Sequence, residues 1–308
     1  MERLSQEGLK AGSIGVACSK HELAQAHQQV EALLTYLIHG ARKPFAHTYQ
    51  PPAGTALRSD ADAIHTVTIR NARHCGFSID KEGFELVRFP TDVRNFYDDE
   101  EVRSLYYPEI VHRLKQLTGG TKVVVSNHVV RNAGNTVHEK SSVQGASLRV
   151  HNDYTIRSAP QRVRDLLEKA EAERLLRYRF AAINVWRTIH RPLKNMPLAL
   201  CDAQSVQFCD LVATDLILRD RVSETYRLTH NPNHRWYYFP DMQPDEAILI
   251  KCYDSDNGRA KFTPHAAFND PTTPPEAPPR ESIEVRAFVF FEACTNPMWQ
   301  PGERSDLS

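Results

Sequence analysis

The sequence predicts a mainly β protein whose core is an all-β sandwich or barrel, with helices gathered on its N-terminal side. Two observations carry this prediction. From residue 181 onward, short apolar or alternating runs are separated by turn residues, which predicts six to eight strands in about 115 residues. The clear helical patterns all precede that region, and the one biased segment, a proline-rich stretch over 269–282, predicts a stiff loop between two strands.

The first 75 residues are predicted to form a helix followed by an extended arm. Residues 21–40 place apolar side chains three and four apart before Gly40, which favours a helix. A polar, proline-containing stretch over 41–63 then predicts a surface connection or docking arm. We therefore divide the chain into an N-terminal helix and docking arm over 1–75 and a jelly-roll core over 76–308, which we expect to form one compact unit.

The core begins with strands and helices in alternation. Alternating polarity predicts strands over 63–73 and 78–91, and β-branched residues predict another over 121–132. The segment 98–120 predicts a helix, because acidic residues lie in its first turn and a Gly-Gly pair ends it. A second helix is predicted from Pro160 to about residue 180, and only strands follow it.

Composition excludes several classes of function. Lys and Arg number 38, as do Asp and Glu, so the formal net charge is zero. A nucleic-acid-binding surface or a polybasic membrane anchor would need an excess of basic charge. No window approaches the length of apolar chain that spans a bilayer, and the N-terminus lacks a secretory signal pattern. We expect a cytoplasmic protein without nucleic-acid or membrane partners, and we leave a homodimer open.

The cysteines predict neither a disulfide framework nor a metal site. They are scattered without a C-x-x-C spacing, so we expect each to be a free, structural residue. They are Cys18, Cys75, Cys201, Cys209, Cys252 and Cys294.

The most informative short motif is His151-Asn152-Asp153, at the end of a strand-like segment. In extended chain, residues two apart point to the same face, so this imidazole and this carboxylate can hold one metal ion. Two histidines and one carboxylate form the facial triad of non-haem Fe(II) oxygenases, which leaves positions open for co-substrate and dioxygen. A jelly roll can supply the missing histidine from a distant strand.

Three downstream histidines compete for that third position: His230, His234 and His265. The first two lie in a turn-rich stretch, whereas His265 follows a strongly apolar strand. His265 also precedes Arg280 by 15 residues. An arginine at that place can pair bidentately with the distal carboxylate of 2-oxoglutarate, whose keto-acid end chelates iron. We therefore favour His265.

Four segments carry a resemblance to a known family: the His151-x-Asp153 motif and the stretches 184–206, 230–256 and 262–290. They resemble the fungal hydroxylase/desaturase group of Fe(II)/2-oxoglutarate-dependent oxygenases, which includes gibberellin-desaturase-like and cephamycin-pathway relatives. The resemblance covers roughly residues 80–295. It implies a double-stranded β-helix (a cupin-like jelly roll), Fe(II) held by His151, Asp153 and His265, and 2-oxoglutarate and O2 as co-substrates. It also implies a small natural-product substrate from secondary metabolism.

Further residues are candidates for the co-substrate and substrate sites. Arg280 and Arg286 compete for the 2-oxoglutarate carboxylate, and we favour Arg280 because Ser282 follows it in an R-x-S arrangement. Asn184 and Arg187 lie in an apolar strand, where a buried polar side chain needs a partner that a dicarboxylate could supply. An apolar substrate pocket could be lined by several buried side chains. These are Tyr226, Trp236, Tyr238 and Lys251.

The leading hypothesis is an Fe(II)/2-oxoglutarate-dependent oxygenase that hydroxylates, desaturates or otherwise rearranges a small natural-product intermediate. One alternative keeps the metal without oxidation, as in a cupin-type hydrolase or isomerase, since jelly rolls host many chemistries. No further acid, base or nucleophile motif supports it. Another alternative is a non-catalytic jelly-roll binding protein, which would be expected to have lost a ligand or the arginine.

Overall fold

The computed structural model describes residues 28–134, apart from 39, 41 and 60, and residues 145–292. These residues form two β-sheets with a few short helices. The strands are β1 (Gln29–Ile38), β2 (Phe45–His47), β3 (Ala61–Asn71), β4 (Phe84–Arg88), β5 (Lys122–Asn132), β6 (His151–Asn152), β7 (Arg179–Thr188), β8 (Leu198–Cys201), β9 (Leu211–Ile217), β10 (Val222–Leu228), β11 (Trp236–Tyr238), β12 (Glu246–Asp254), β13 (His265–Ala267) and β14 (Glu281–Phe291). The helices are α1 (Asp99–Glu101), a π-helical turn (Val102–Tyr106), α2 (Tyr107–Thr118), α3 (Ser158–Leu166) and α4 (Lys169–Leu175).

The sheets have nine and five strands, in the orders β1-β3-β11-β8-β13-β6-β10-β9-β2 and β4-β12-β7-β14-β5. Neighbouring strands are mostly distant in sequence, as in a jelly roll, and the mainly β class is confirmed. The larger sheet curls, so that β1 returns against the start of β6, where the Val150 amide donates to the Thr35 carbonyl. The division at residue 75 stays a prediction; β1 and β3, which precede it, belong to the same sheet as β6 and β13.

The predicted helix over 21–40 is wrong for the part that the structure describes. Residues 29–38 form β1, which pairs with β3 along its whole length, while residues 1–27 lie outside the described residues. Val30, Ala32, Leu34 and Tyr36 are buried at every second position, and Leu33 between them is exposed. Val30 and Leu34 are four positions apart, so their burial fits both a helical and an alternating pattern. Burial of Ala32 between them fits only the alternation of a strand.

Three apolar layers separate and cover the sheets. Leu200 and Ala267 of the larger sheet pack with Trp186 and Phe288 of the smaller one, so this cluster fills the space between them. The other face of the smaller sheet is covered by the α1–α2 segment. The other face of the larger sheet packs inside its own curl. Strand alternation consequently decides whether a side chain enters the interior or one of these outer layers.

The two helices predicted within the core, over 98–120 and from Pro160, both form, but neither is regular. The first contains the π-helical turn directly before Pro108, and since proline lacks an amide hydrogen, a local change of hydrogen bonding there is expected. The second is divided into α3 and α4, because Leu167 is extended at φ −122° and ψ 156°. The break lets Val163 and Leu175 both reach the interior.

Gly83 contacts the loop that precedes His265, the third predicted metal ligand. Its φ is +90°, and a Cβ atom there would overlap the Thr263 hydroxyl, which donates to the Gly83 carbonyl at 2.8 Å. We expect Gly83→Ala to lower the free energy of unfolding by about 1–3 kcal/mol, measured by denaturant titration. Gly76→Ala is the control, because Gly76 has no positive φ and no atom within 4 Å of the added Cβ. Equal stability of the two variants would contradict this account.

No helix among the described residues is long and apolar enough to cross a membrane. Of the six cysteines, four lie in the described part of the chain and are free thiols. They are Cys75, Cys201, Cys209 and Cys252, whereas Cys18 and Cys294 lie outside it.

Candidate metal and co-substrate site

The two predicted histidine ligands lie side by side on the larger sheet. His265 of β13 pairs in register with His151 of β6, although 114 positions separate them in the sequence, and their ring centroids are 4.7 Å apart. His265 also pairs with Leu200, which lies in the apolar layer between the sheets. Antiparallel partners share a face, so both rings enter the interior.

Hydrogen bonds set the tautomer of both rings. His151 Nδ1 lies 2.8 Å from the Arg149 carbonyl and His265 Nδ1 lies 2.9 Å from the Thr263 carbonyl. A carbonyl only accepts, so each Nδ1 carries the hydrogen and each Nε2 presents a lone pair. This orientation by a backbone carbonyl is usual for metal-binding histidines. Burial, reinforced by His265, lowers the pKa of His151 to about 3, which keeps its ring neutral and able to ligate.

The Asp153 carboxylate completes this group and is held in place on two sides. Its Oδ1 lies 3.8 Å from His151 Nε2. Arg286 donates from Nε and Nη2 at 3.1 and 3.2 Å, and Asn184 Nδ2 donates at 2.5 Å. Burial alone would raise the pKa of this carboxyl, but Arg286, the two histidines and Asn184 hold it below its usual range. The group is therefore a charged carboxylate at neutral pH, as a metal ligand requires.

Asn152, the residue between the predicted ligands His151 and Asp153, links the two sheets. It is fully buried, and its amide donates to the Tyr154 and Cys252 carbonyls at 2.7 and 2.8 Å. Its side-chain oxygen accepts from the Thr263 amide at 3.2 Å. One side chain thus positions the segment carrying Asp153 against the segment carrying His265.

The β14 strand supplies the charged wall of the cleft. Arg280 is 3% exposed, and among the described residues its guanidinium donates only to the Met196 carbonyl, at 2.7 Å. Burial, and then the nearby charge of Arg131, lower its pKa to about 9, with Glu284 acting in the opposite direction. Arg286 differs, because it already pairs with Asp153 and with Glu284, the latter at 2.7 Å. Of these two arginines, Arg280 is the one that forms no salt bridge with a carboxylate of the described residues.

Five of the eleven buried side-chain polar atoms that have no hydrogen-bond partner among the described residues lie in or beside this cleft. Each would cost about 1–3 kcal/mol if left unsatisfied. Among the described residues they include Asn184 Oδ1, His265 Nε2, Arg280 Nε, Ser282 Oγ and Glu284 Oε1. The lone pairs of His265 Nε2 and the Glu284 carboxylate fit a metal ion, and the hydrogen-bond donors of Arg280 and Ser282 fit a small anion. This donor set fits Fe(II) and the carboxylate of 2-oxoglutarate.

The structure does not bring Arg187, Trp236 or Tyr238 to the cleft, and those predictions are corrected. Arg187 lies on the outer face of the smaller sheet, beneath the π-helical turn, and donates to the Phe89 and Pro244 carbonyls. Trp236 and Tyr238 lie in the outer layer of the larger sheet. Side chains along a strand alternate between its two faces. Each of these three residues is an odd number of positions from a neighbour that faces the interior, so each faces outward.

Tyr226 lies in the interior layer, where its ring contacts Phe262 at 5.1 Å and Phe208 at 6.4 Å between centroids. It pairs in register with Asn152. A role for Tyr226 in substrate binding therefore stays a prediction.

Lys251 also lies away from the cleft, in a buried ion-pair network. Its ammonium group contacts Asp80 at 2.7 Å and Asp254 at 2.6 Å, and its side chain is 1% exposed. We expect Lys251→Ala to destabilise the protein by about 3 kcal/mol, because Asp254 then remains buried with fewer partners. Lys43→Ala, which removes a 43% exposed partner of two carboxylates, should cost under about 1 kcal/mol. Thermal unfolding measures both, and a normal melting temperature with a raised substrate KM in Lys251→Ala would restore the pocket role.

The competing histidines lie elsewhere. His234 Nε2 contacts Asp210 Oδ2 at 3.1 Å, and its ring stacks on Tyr36. His230 stacks on His65 with centroids 3.8 Å apart. Both belong to an aromatic cluster around Tyr36, which lies in the outer layer of the larger sheet, so the geometry favours His265 as the third ligand.

Sequence reasoning missed two charged residues of the cleft. Arg131 pairs in register with Ser282 and lines the cleft with both histidines, and Glu284 lies between Ser282 and Arg286 on the same face of β14. The alternation in SIEVRAFVF could have revealed Glu284, because positions 282, 284 and 286 must share a face. No signal near Arg131 distinguishes it from a surface arginine on an edge strand.

A jelly roll whose interior brings together two tautomer-fixed histidines, a charged aspartate and a buried arginine without a carboxylate partner among the described residues is the arrangement expected of a metal-dependent oxygenase of the 2-oxoglutarate class. Comparisons with known proteins agree. A family model described as an oxidoreductase/YMDC permease-like domain matches residues 34–290. The hydroxylase/desaturase efuI of Hormonema carpetanum is 36% identical over 239 residues, which are 70% of this chain and 79% of that protein.

Two further relatives are named for their co-substrate. The alpha-ketoglutarate-dependent dioxygenase phiK of a fungal species is 32% identical over 285 residues, covering 88% of this chain and 99% of that one. The solved iron and alpha-ketoglutarate-dependent endoperoxidase NvfI superposes with a TM-score of 0.79 at 25% identity, covering 86% and 99% of the two chains. The chain belongs to the fungal hydroxylase/desaturase family of Fe(II)/2-oxoglutarate-dependent oxygenases. Its core is accordingly a double-stranded β-helix, and its cofactor and co-substrates are Fe(II), 2-oxoglutarate and O2.

Proposed function

We propose that His151, Asp153 and His265 hold the iron of this oxygenase, and that Arg280 with Ser282 holds the distal carboxylate of 2-oxoglutarate. The observation that carries this proposal is Arg280, a buried guanidinium in the same cleft as both histidines that forms no salt bridge with any carboxylate of the described residues. A buried charge of this kind is costly unless an anion completes it. The Ser282 hydroxyl, two residues on along the strand, adds a second unpaired donor.

The protein's own residues then have distinct tasks. The Arg149 and Thr263 carbonyls fix the histidine tautomers, and Asn184 with Arg286 keeps the Asp153 carboxylate oriented and charged. The enclosing apolar layers exclude water from the cleft, which strengthens every charge interaction inside it. When bound, Fe(II) with 2-oxoglutarate and dioxygen supplies the oxidising power that removes hydrogen from a substrate C–H bond.

The substrate, in this proposal, is a small and largely apolar natural-product intermediate that is hydroxylated or desaturated. Burial of the ligands between two sheets supports a small molecule, because a polymer could not reach them without opening the sandwich. The names of the relatives, hydroxylase/desaturase and endoperoxidase, support an oxidative outcome. We also propose a homodimer as a testable state, which sedimentation equilibrium would measure.

The experiment is anaerobic titration of the reconstituted protein with Fe(II) and 2-oxoglutarate, followed by exposure to O2. We expect a visible charge-transfer absorption on addition of 2-oxoglutarate and then formation of succinate. The control is His230→Ala, an exposed histidine outside the cleft, which should behave like the wild type. Absence of both the absorption and succinate in folded, iron-loaded protein would refute the proposed function.

A further inference from the structure

A second carboxylate, Glu284, lies against the predicted metal ligands. One ligand atom each from Asp153, His265 and Glu284 lie within 4.8 Å of one another. Glu284 is 6% exposed, and it lines the cleft with His151, His265 and Arg280. A facial triad requires one carboxylate, so this site contains one more than the expected ligand set.

The position of Glu284 follows from the sheet. It pairs in register with Trp186, a residue of the interior layer, and it lies two positions from both Ser282 and Arg286. Its Oε1 lies 2.7 Å from Arg286 Nη2 but has no hydrogen bond of good geometry among the described residues. A buried carboxylate that forms an ion pair but no well-aligned hydrogen bond through this oxygen, within 4.8 Å of a ligand atom of His265, is suited to a metal ion.

We propose that Glu284 is a second carboxylate ligand of the metal in the absence of 2-oxoglutarate, and that 2-oxoglutarate displaces it. This inference rests on the proposed function of the site. Asp153 and Glu284 together balance the two positive charges of the metal. Arriving 2-oxoglutarate brings two further negative charges, so the Glu284 carboxylate is then in excess at the metal.

The displaced carboxylate would not be left uncompensated. Arg286 contacts it already, and the positive charges of Arg131 and Arg280 also act on the same cleft. The geometry therefore provides Glu284 with two alternative partners, the metal and the arginines. In the resting enzyme it would cover a coordination position that dioxygen or water would otherwise take.

The test uses Mn(II), an oxygen-preferring ion whose bound, exchangeable waters are counted by water-proton relaxation. Without 2-oxoglutarate, Glu284→Gln should show one more metal-bound water than the wild type and a Kd for Mn(II) raised by about tenfold or more. With saturating 2-oxoglutarate, the water counts should agree and the difference in Kd should disappear. The control is Glu281→Gln on the same strand, whose carboxylate accepts from the Tyr97 hydroxyl and should leave both readouts at the wild-type value.

Two results would overturn the proposal. The first is a wild-type water count in Glu284→Gln without 2-oxoglutarate, even if the Kd for Mn(II) rises, because that combination indicates a counter-charge rather than a ligand. The second concerns Glu284→Asp, which keeps the charge beside Arg286 but shortens the side chain, and which decides the question if Glu284→Gln folds poorly. It should gain the extra water, and a wild-type count would reject ligation. Failure of the proposed function is distinguishable, because wild-type protein would then bind neither Mn(II) nor 2-oxoglutarate at this site.

Discussion

Replacing His265 with alanine is expected to leave a folded protein with oxygenase turnover lowered by at least about 100-fold. Outer-shell changes at metal sites already cost 10- to 100-fold in affinity or activity, and loss of a ligand should cost no less. The His265 ring makes one hydrogen bond, through Nδ1, so its removal affects the metal far more than the fold. Succinate formation and metal content measure the loss, and circular dichroism verifies folding.

His234→Ala is the informative control, because His234 is also a buried histidine, but it lies in the loop before β11 and contacts Asp210 and Tyr36. It should lower thermal stability while retaining iron binding. His151→Ala should behave like His265→Ala. More than a tenth of wild-type turnover in either ligand variant would contradict the triad, and loss of iron in His234→Ala with retention in His265→Ala would mean that the third ligand is wrongly chosen.

Arg280→Ala is expected to raise the KM for 2-oxoglutarate by roughly 30- to several-thousand-fold, since losing a buried charge partner costs about 2–5 kcal/mol. The distal carboxylate would remain in a largely dry cleft without its guanidinium. Arg280→Lys should recover only part of the affinity, because a point charge cannot reproduce the planar fork. Iron binding should change little, and isothermal titration with each component separates the two effects.

Arg286 provides the matched comparison on the same strand. It holds Asp153, so Arg286→Ala should weaken metal binding more than 2-oxoglutarate binding. Alanine substitution of the two arginines is thus expected to give opposite results: Arg280→Ala weakens mainly 2-oxoglutarate binding, and Arg286→Ala weakens mainly metal binding. A large loss of 2-oxoglutarate affinity in Arg286→Ala, with none in Arg280→Ala, would reverse their assignment.

The fold class could be predicted because the C-terminal strands are separated by clear turn signals. The strand β1 could not be predicted from the periodicity of its apolar residues. In β1, leucines at 33, 34 and 37 imitate a helical face, and only partnership with β3 shows which of them is buried. Tertiary pairing overrides local periodicity when both patterns fit. The break between α3 and α4 has the same origin, since no glycine or proline marks it.

Within the site, sequence spacing predicted which residues share one face of a strand, but it did not predict which face is directed to the interior. His151 and Asp153 are brought together, and the register of β13 with β6 places His265 beside them. Arg187 is a candidate because it is a polar residue in an apolar strand, and Trp236 because it belongs to an aromatic run, but the parity of their strand positions turns both to outer layers. The arginine choice needed the structure too, because the sequence cannot show that Arg286 already has two carboxylate partners.

Asn152 has a consequence for how the active site assembles in time. Its amide bridges partners 100 and 111 positions away in the chain, so the ligand geometry depends on contacts of very high sequence separation. Such contacts form late in folding, after the entropy of closing long loops has been overcome. Metal ions therefore have no complete set of ligands to bind on the nascent chain, and an iron-free chain can mature first because Arg286 neutralises Asp153. Metal loading is accordingly expected to follow folding rather than to accompany it.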